Sequence, residues 1–324
     1  MQSKPWAVMA AAVPLAVGCL HGSPAAALPA RGPAGQQQAA AVAPHVPPRV
    51  PAGTTAAWVV FDRRAGSAGK IVAARNAHRK YRSASVVKIL IALDYLERRT
   101  TVPAADARLL REMLRSSDDA AATTLWSRSG RGAIITRTAR RLGLADTAPP
   151  PASHPGFWGY TSISAYDIVR TYRYLLDTAE PRVRETVLGH LRRATPCGND
   201  GFHQYFGIPS AVPRPWAVKQ GWSGFGTVPP TRCAASAAGG STGGPAGGRV
   251  AGAAMGGSVS AVARRAAGTG VPDYGRPVLH STGLTGDGDR YVMAVLTAHP
   301  AGGSWNDSVR RVNRLTVDLY RGLS

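Results

Sequence analysis

The stretch Tyr81–Leu96, YRSASVVKILIALDYL, places a lysine where an apolar helix begins. Burying an ammonium group there is costly unless something uses it. Ser85 precedes Lys88 by three residues, and an i, i+3 pair in the first turn of a helix shares one face. A serine hydroxyl becomes a strong nucleophile when a base takes its proton, and a lysine that sheds its own proton can be that base. The positive end of a helix also favours a developing alkoxide. Arginine could not substitute, because it stays protonated. Only five of the 39 basic residues are lysines: Lys4, Lys70, Lys80, Lys88 and Lys219. A chain that almost always chooses arginine keeps lysine at 88. A second Ser-x-x-Lys, Ser67–Lys70, falls in a predicted hairpin turn with no helix after it and reads as coincidence.

Two further stretches carry chemistry. SSDDAA (116–121) lies at the junction of two predicted helices, and KQGW (219–222) ends an apolar strand. The remaining candidates are weaker. GWSGF (221–225) lacks the last glycine of a Gly-x-Ser-x-Gly elbow. His154, His190, His203 and His280 have no spacing that suggests a metal or a triad, and they read as packing or surface residues. GDGDR (286–290) reads as a tight turn. No metal and no cofactor are expected.

These residues need a frame. AAWVVFD (56–62) and GKIVAAR (69–75) predict a β-hairpin. Helices are predicted over 85–98, with Ser83 or Ser85 as cap, and over 103–114. Further helices follow in AAATTLWSRS, in AIITRTARRLGL closed by Gly143, and over 164–179 and 181–194. Strands return at 215–222, 277–284 and 290–299, and an amphipathic helix at 304–323 ends the chain. Strands at both ends around a helical middle predict an α/β fold: a five-stranded antiparallel sheet flanked by helices, with a helical subdomain at about 85–194 inserted. Residues 234–272, rich in Gly, Ala and Ser, read as a long flexible insertion within a domain spanning 55–324.

The trio of motifs, in this order and layout, resembles the serine β-lactamase and DD-peptidase (penicillin-binding) superfamily, specifically its class A β-lactamase-like branch. The resemblance implies Ser85 as nucleophile and Lys88 as its proton acceptor. It implies Ser117 as the relay to the leaving nitrogen, with Asp119 standing where the family has Asn. Lys219 would hold the substrate carboxylate or Ser117, and Gln220, Gly221 and Trp222 would line the substrate. The backbone N–H groups of Ser85 and Trp222 would form the oxyanion hole. Three departures stand out. Gln220 replaces a hydroxyl residue, so its amide reaches differently. Asp119 should raise the pKa of Lys88 and make it a poorer base. Residues 146–163, DTAPPPASHPGFWGYTSI, contain no glutamate, where class A enzymes keep the one that activates the deacylating water; their only carboxylate is Asp146. Acylation is then expected to outlast hydrolysis.

The leader bounds the compartment. Lys4, the apolar run WAVMAAAVPLAVGCL (6–20) and the AAA at 25–27 read as a signal peptide over 1–27. AVGC at 16–19 is a poor lipobox, so a lipid anchor at Cys19 is the lesser expectation beside secretion. Residues 28–54, rich in Pro, Ala and Gln, read as a disordered tether. Beyond the leader only Cys197 and Cys233 remain, and an oxidising compartment favours a disulfide between them. The formal charge of +21 is almost all arginine, which suits a solvated basic surface. Anionic wall polymers are candidate partners, whereas no nucleic-acid motif is present. Three functions remain open for what is expected to be a monomer. One is an exported serine hydrolase that forms a Ser85 acyl-enzyme with β-lactams or related amides. Another is a penicillin-binding or wall-peptide protein with little turnover, and the last is a non-catalytic binder on the same fold.

Overall fold

The structure is a computed structural model that describes residues 48–234 and 272–323. The readings for the leader, most of the tether and the 234–272 insertion therefore lie outside the described residues. The sheet is built from β1 (Thr55–Asp62), β2 (Lys70–Arg75), β5 (Trp216–Ser223), β6 (Val278–Thr285) and β7 (Tyr291–Ala298). Its order is β2-β1-β7-β6-β5, and it is five-stranded and antiparallel throughout, the two features the sequence predicts. The N-terminal hairpin thus joins the C-terminal strands by β1 pairing with β7.

Alternation along these strands divides the core in two. Ala57, Val59 and Phe61 of β1 face one apolar cluster, and Ala56, Trp58 and Val60 face the other. The first cluster packs under α1 (Lys88–Glu97), α2 (Ala104–Arg115), α3 (Asp119–Arg128), α4 (Gly132–Leu142), α5 (Ala165–Asp177) and α6 (Pro181–Leu191). The second packs under the short α7 (Ile208–Ala211) and under α8 (Trp305–Arg321). Residues 312, 315, 316 and 319 of α8 are buried, the spacing of an amphipathic helix with one core-facing stripe. Ser304 caps its start by accepting from the Asp307 N–H, and Ser164 caps α5 the same way from Asp167.

Helix α1 differs, being buried all round from Lys88 to Leu96. Its Ile and Leu side chains each contribute about 1.5–3 kcal/mol by burial. Its buried carboxylate, Asp94, is bidentate with Arg137 at 2.9 and 2.7 Å, so the charge is compensated.

Three local features depart from the sequence reading. The helix predicted from Ser85 begins as a 3₁₀ turn over Ala84–Val87, and neither Ser83 nor Ser85 caps it with a side-chain oxygen. A two-residue ladder, β3 (Tyr81–Arg82) with β4 (Ser162–Ile163), is too short to give a periodic signal. Residues 50–54, assigned to the tether, lie against the domain: Val50 packs on the second cluster and Arg311 donates to the Ala52 carbonyl.

Candidate active site

The Ser85 turn is tied down from three sides. The β3–β4 ladder precedes it, and the Ser83 N–H donates to the Thr161 carbonyl at 2.8 Å. His280, fully buried on β6, bonds the Arg82 carbonyl through Nε2 at 2.8 Å, while the Thr297 N–H donates to its Nδ1 at 3.3 Å. A carbonyl only accepts, so His280 is the neutral Nε2–H tautomer. Burial pushes its pKa down to about 4. On the third side β5 passes so close that a Cβ on Gly221 would lie 3.0 Å from the Ser83 carbonyl oxygen and 3.2 Å from the Val86 nitrogen. Only glycine lets strand and turn approach this closely, and the approach brings the Trp222 end of β5 to the Ser85 turn.

Lys88 is fully buried, and its Nζ faces three acceptors: the Ser117 carbonyl at 2.7 Å, Ser117 Oγ at 3.2 Å and Asp119 Oδ1 at 2.6 Å. The Trp158 ring covers it, 4.6 Å from Nζ to the ring centroid. Lys219, also buried, donates to Ser117 Oγ at 2.8 Å and to its neighbour's carbonyl, Gln220 O, at 3.2 Å. Ser117 therefore stands between two ammonium groups. It does so from a left-handed backbone conformation, φ +57°, unusual outside glycine. The acidic pair after it divides the work. Asp118 caps α3 by accepting from the Ala121 N–H at 2.6 Å, and Asp119 reaches Lys88.

Burial sets the electrostatics. It pushes Lys219 well below its ordinary pKa, with the Lys88 charge adding to the effect. Burial also lowers Lys88, opposed by Asp119 through both charge and hydrogen bond. Asp119 acts in the direction the sequence implies, but desolvation outweighs it. Among the described residues Lys219 touches no carboxylate, and only the more distant charges of Asp119 and Asp200 oppose its desolvation.

The structure thus gathers Lys88, Ser117, Asp119 and Lys219 in hydrogen-bond contact, with the Ser85 turn one helical step from Lys88. Among the described residues no group hydrogen-bonds the Ser85 hydroxyl; the lysine is turned toward Ser117 and Asp119 instead. Gln220 and Trp222 project from the opposite face of β5 to Lys219. The Gln220 amide donates to the Phe206 carbonyl, and its Oε1 has no partner. The Trp222 ring sits beside Phe202, Phe206 and Trp305, and its Nε1 donates to Asp200 Oδ2 at 2.9 Å. Sequence reasoning missed Asp200. Its signal was the cysteine three residues before it: Cys197 and Cys233 are bonded with Cα atoms 5.5 Å apart, and the Cys233 N–H donates to the Gly201 carbonyl. The bridge pins the loop that carries Asp200. Asp146 accepts from His78 and from Ser164 Oγ, each at 2.8 Å, at the root of α5. The only carboxylate of 146–163 is therefore occupied there.

The fold is the one seen in PBP-A and in class A β-lactamases. The structure of PBP-A superposes with a TM-score of 0.54 at 15% identity, covering 84% of this chain and 91% of that one. A class A β-lactamase from Mycobacterium abscessus gives 0.53 at 17% identity, over 84% and 94%. A β-lactamase from Xanthomonas campestris gives 0.53 at 14%, over 84% and 93%. By sequence, the chain is 42% identical over 178 residues to a protein named "Putative lipoprotein LppW" in Mycobacterium tuberculosis and in Mycobacterium bovis. That match covers 52% of this chain and 54% of each relative, so the chain spans about half the length of the curated relatives it matches. No protein-family profile matches the chain.

Proposed function

We propose that this protein is an envelope-located acyl-transfer protein whose Ser85 is acylated by β-lactams or related wall-peptide amides and is released slowly. Ser85 Oγ attacks the carbonyl carbon, and its proton passes to Lys88 in the neutral form. The N–H groups of Ser85 and Trp222 hold the oxyanion. The C–N bond then breaks as Ser117 delivers a proton to the leaving nitrogen, restored from the lysine pair. Water finally hydrolyses the ester.

The observation that carries slow release is Trp158. Its ring lies on Lys88, and its Nε1 donates to Thr123 at 3.1 Å, so the 146–163 loop, which contains no glutamate, presents an indole rather than a carboxylate to the lysine. General-base assistance is worth about 10²–10⁴-fold, and its loss makes a burst followed by a weak steady rate. The leader residues 1–27, and the lipoprotein name of the relatives, support location at the envelope.

Mass spectrometry of the intact exported protein, followed over time after penicillin addition, tests this reading. The expected result is a Ser85 adduct that persists and that Lys88→Arg abolishes. One observation favours a second reading. The Lys88 ammonium is saturated by Ser117 and Asp119 and makes no bond to Ser85, which suits a non-catalytic binder on the same fold. Absence of an adduct with several β-lactams would favour that reading.

A further inference from the structure

The formal charge of +21 is unevenly compensated. All 18 Asp and Glu residues lie within the described residues; positions 1–47 and 235–271 contain none. Any arginine left without a carboxylate in the structure therefore has no Asp or Glu elsewhere in the chain to find.

Such arginines collect where the chain enters the domain. A surface groove of about 270 Å³ is formed by Pro51 and Ala52 against the solvent face of α8, with Arg310, Arg311 and Arg314 along its wall. Arg310 pairs with Asp307. Arg311 spends its guanidinium on the Ala52 carbonyl and Thr54 Oγ1. Arg314 is exposed and has no hydrogen-bond or ion-pair partner among the described residues, and Asp318 one turn on makes no ion pair with it. On the other side of the same entering segment, a second hollow is lined by Arg75 and Arg79. Their guanidinium groups lie over Trp58 and Tyr81 rings at 5.7 and 5.9 Å, and neither has a carboxylate partner. With Arg276, which donates to the Gly53 carbonyl and to Thr55, six guanidinium groups thus surround residues 50–55, with one carboxylate, Asp307, paired among them.

We propose that this pole of the domain docks on anionic phospholipid headgroups, with the α8 groove taking the phosphodiester. A guanidinium fork matches phosphate oxygens in pairs. The segment inside the ring continues in sequence into residues 1–47, which carry no Asp or Glu, so no carboxylate from the preceding chain offsets this positive pole. The inference rests on the envelope location proposed above and is independent of Ser85 chemistry. Basic residues near an anionic bilayer each add about fivefold to binding, and the attraction falls off within a Debye length.

The test is co-sedimentation of the exported, processed protein with vesicles of phosphatidylglycerol mixed into phosphatidylcholine, and with phosphatidylcholine alone. Binding is expected only to the anionic vesicles, weakening as salt rises from about 0.1 to about 0.5 M. R310Q/R311Q/R314Q should lose on the order of 100-fold, and R75Q/R79Q on the order of 10-fold or more. Arg314→Gln alone, which breaks no contact, should lose about fivefold and guards against misfolding of the triple variant. R98Q/R108Q/R140Q, an equal charge loss on α2, α4 and the end of α1, should bind as wild type. Equal losses in that control would mean diffuse charge and overturn the proposal. So would binding to neutral vesicles, displacement by millimolar inorganic phosphate, or groove-dependent binding to wall polymer without vesicle binding. β-Lactam labelling of Ser85 and cell fractionation, read in parallel, separate failure of this docking from failure of the reading it rests on.

Discussion

Replacing Asp119 with Asn should speed acylation of Ser85. Asp119 Oδ1 lies 2.6 Å from Lys88 Nζ and is the only carboxylate touching it among the described residues. Lys88 is completely buried, whereas the Asp119 side chain is 70% exposed. Contact with an opposite charge biases a proton equilibrium by roughly 10- to 1000-fold. Solvent around the exposed carboxylate screens it, so the lower end applies, about tenfold. Asn keeps the size and a hydrogen-bond acceptor but removes the charge that holds the proton on Lys88. The neutral lysine population at neutral pH should therefore rise about tenfold, and acylation, which needs that form, should rise with it. The assay is the second-order labelling rate with a slow β-lactam, read by intact mass across pH. The rising limb of the pH profile should move to lower pH in Asp119→Asn. An unchanged or slower rate, with the fold intact by circular dichroism, would show that Asp119 places the Lys88 amine rather than over-stabilising its charge.

Other expectations follow from the same geometry. Trp158→Glu should shorten the lifetime of the Ser85 adduct by at least about tenfold, because it puts a carboxylate where the indole lies; chasing the labelled protein by mass spectrometry reads this. Stability should fall on acidification. His280 and His190 titrate at about 4 and His299 at about 3 in the fold, against about 6.5 when unfolded. The unfolded chain thus binds more protons between these values, so the stability is full above about pH 6.5 and is lost as pH falls toward 4. His280 alone should account for about 3 kcal/mol by pH 4, and His280→Gln should flatten the dependence of Tm on pH. Replacing both Cys197 and Cys233 by Ser should lower stability by about 2–4 kcal/mol in denaturant melts while leaving Ser85 labelling in place, since neither cysteine touches Lys88 or Ser117.

The sequence alone settled what local pattern can carry. Alternating apolar strands at both ends predict the sheet, and strong helical periodicity predicts α2, α5 and α8 to within a few residues. Lysine kept at 88 and 219 in an arginine-rich chain singled out the two ammonium groups that meet at Ser117. The cysteine pair was legible because only two cysteines follow the leader. The start of α1 was not legible, since the 3₁₀ turn at Ala84–Val87 is imposed by the β3–β4 ladder, by His280 and by the close pass of Gly221. Each of those contacts joins residues far apart in the chain.

The same limit explains the site. The family resemblance implied Lys88 and Asp119 as neighbours, yet whether Lys88 is a base depends on a balance between desolvation and an ion pair, and only packing sets both. Strand period alone would put Gln220 and Lys219 on opposite faces of β5. Which face looks toward Ser117 was decided by the two layers that the sheet separates. Trp158 became a cap on Lys88 because the loop after α4 folds back over the Ser85 turn, through hydrogen bonds from Ser83 to the carbonyls of Trp158 and Gly159. Sequence fixes which groups are present and how they are spaced along one element. Burial, register and the meeting of distant loops are properties of the whole fold, and they determine which of those groups can hold, release or lose a proton.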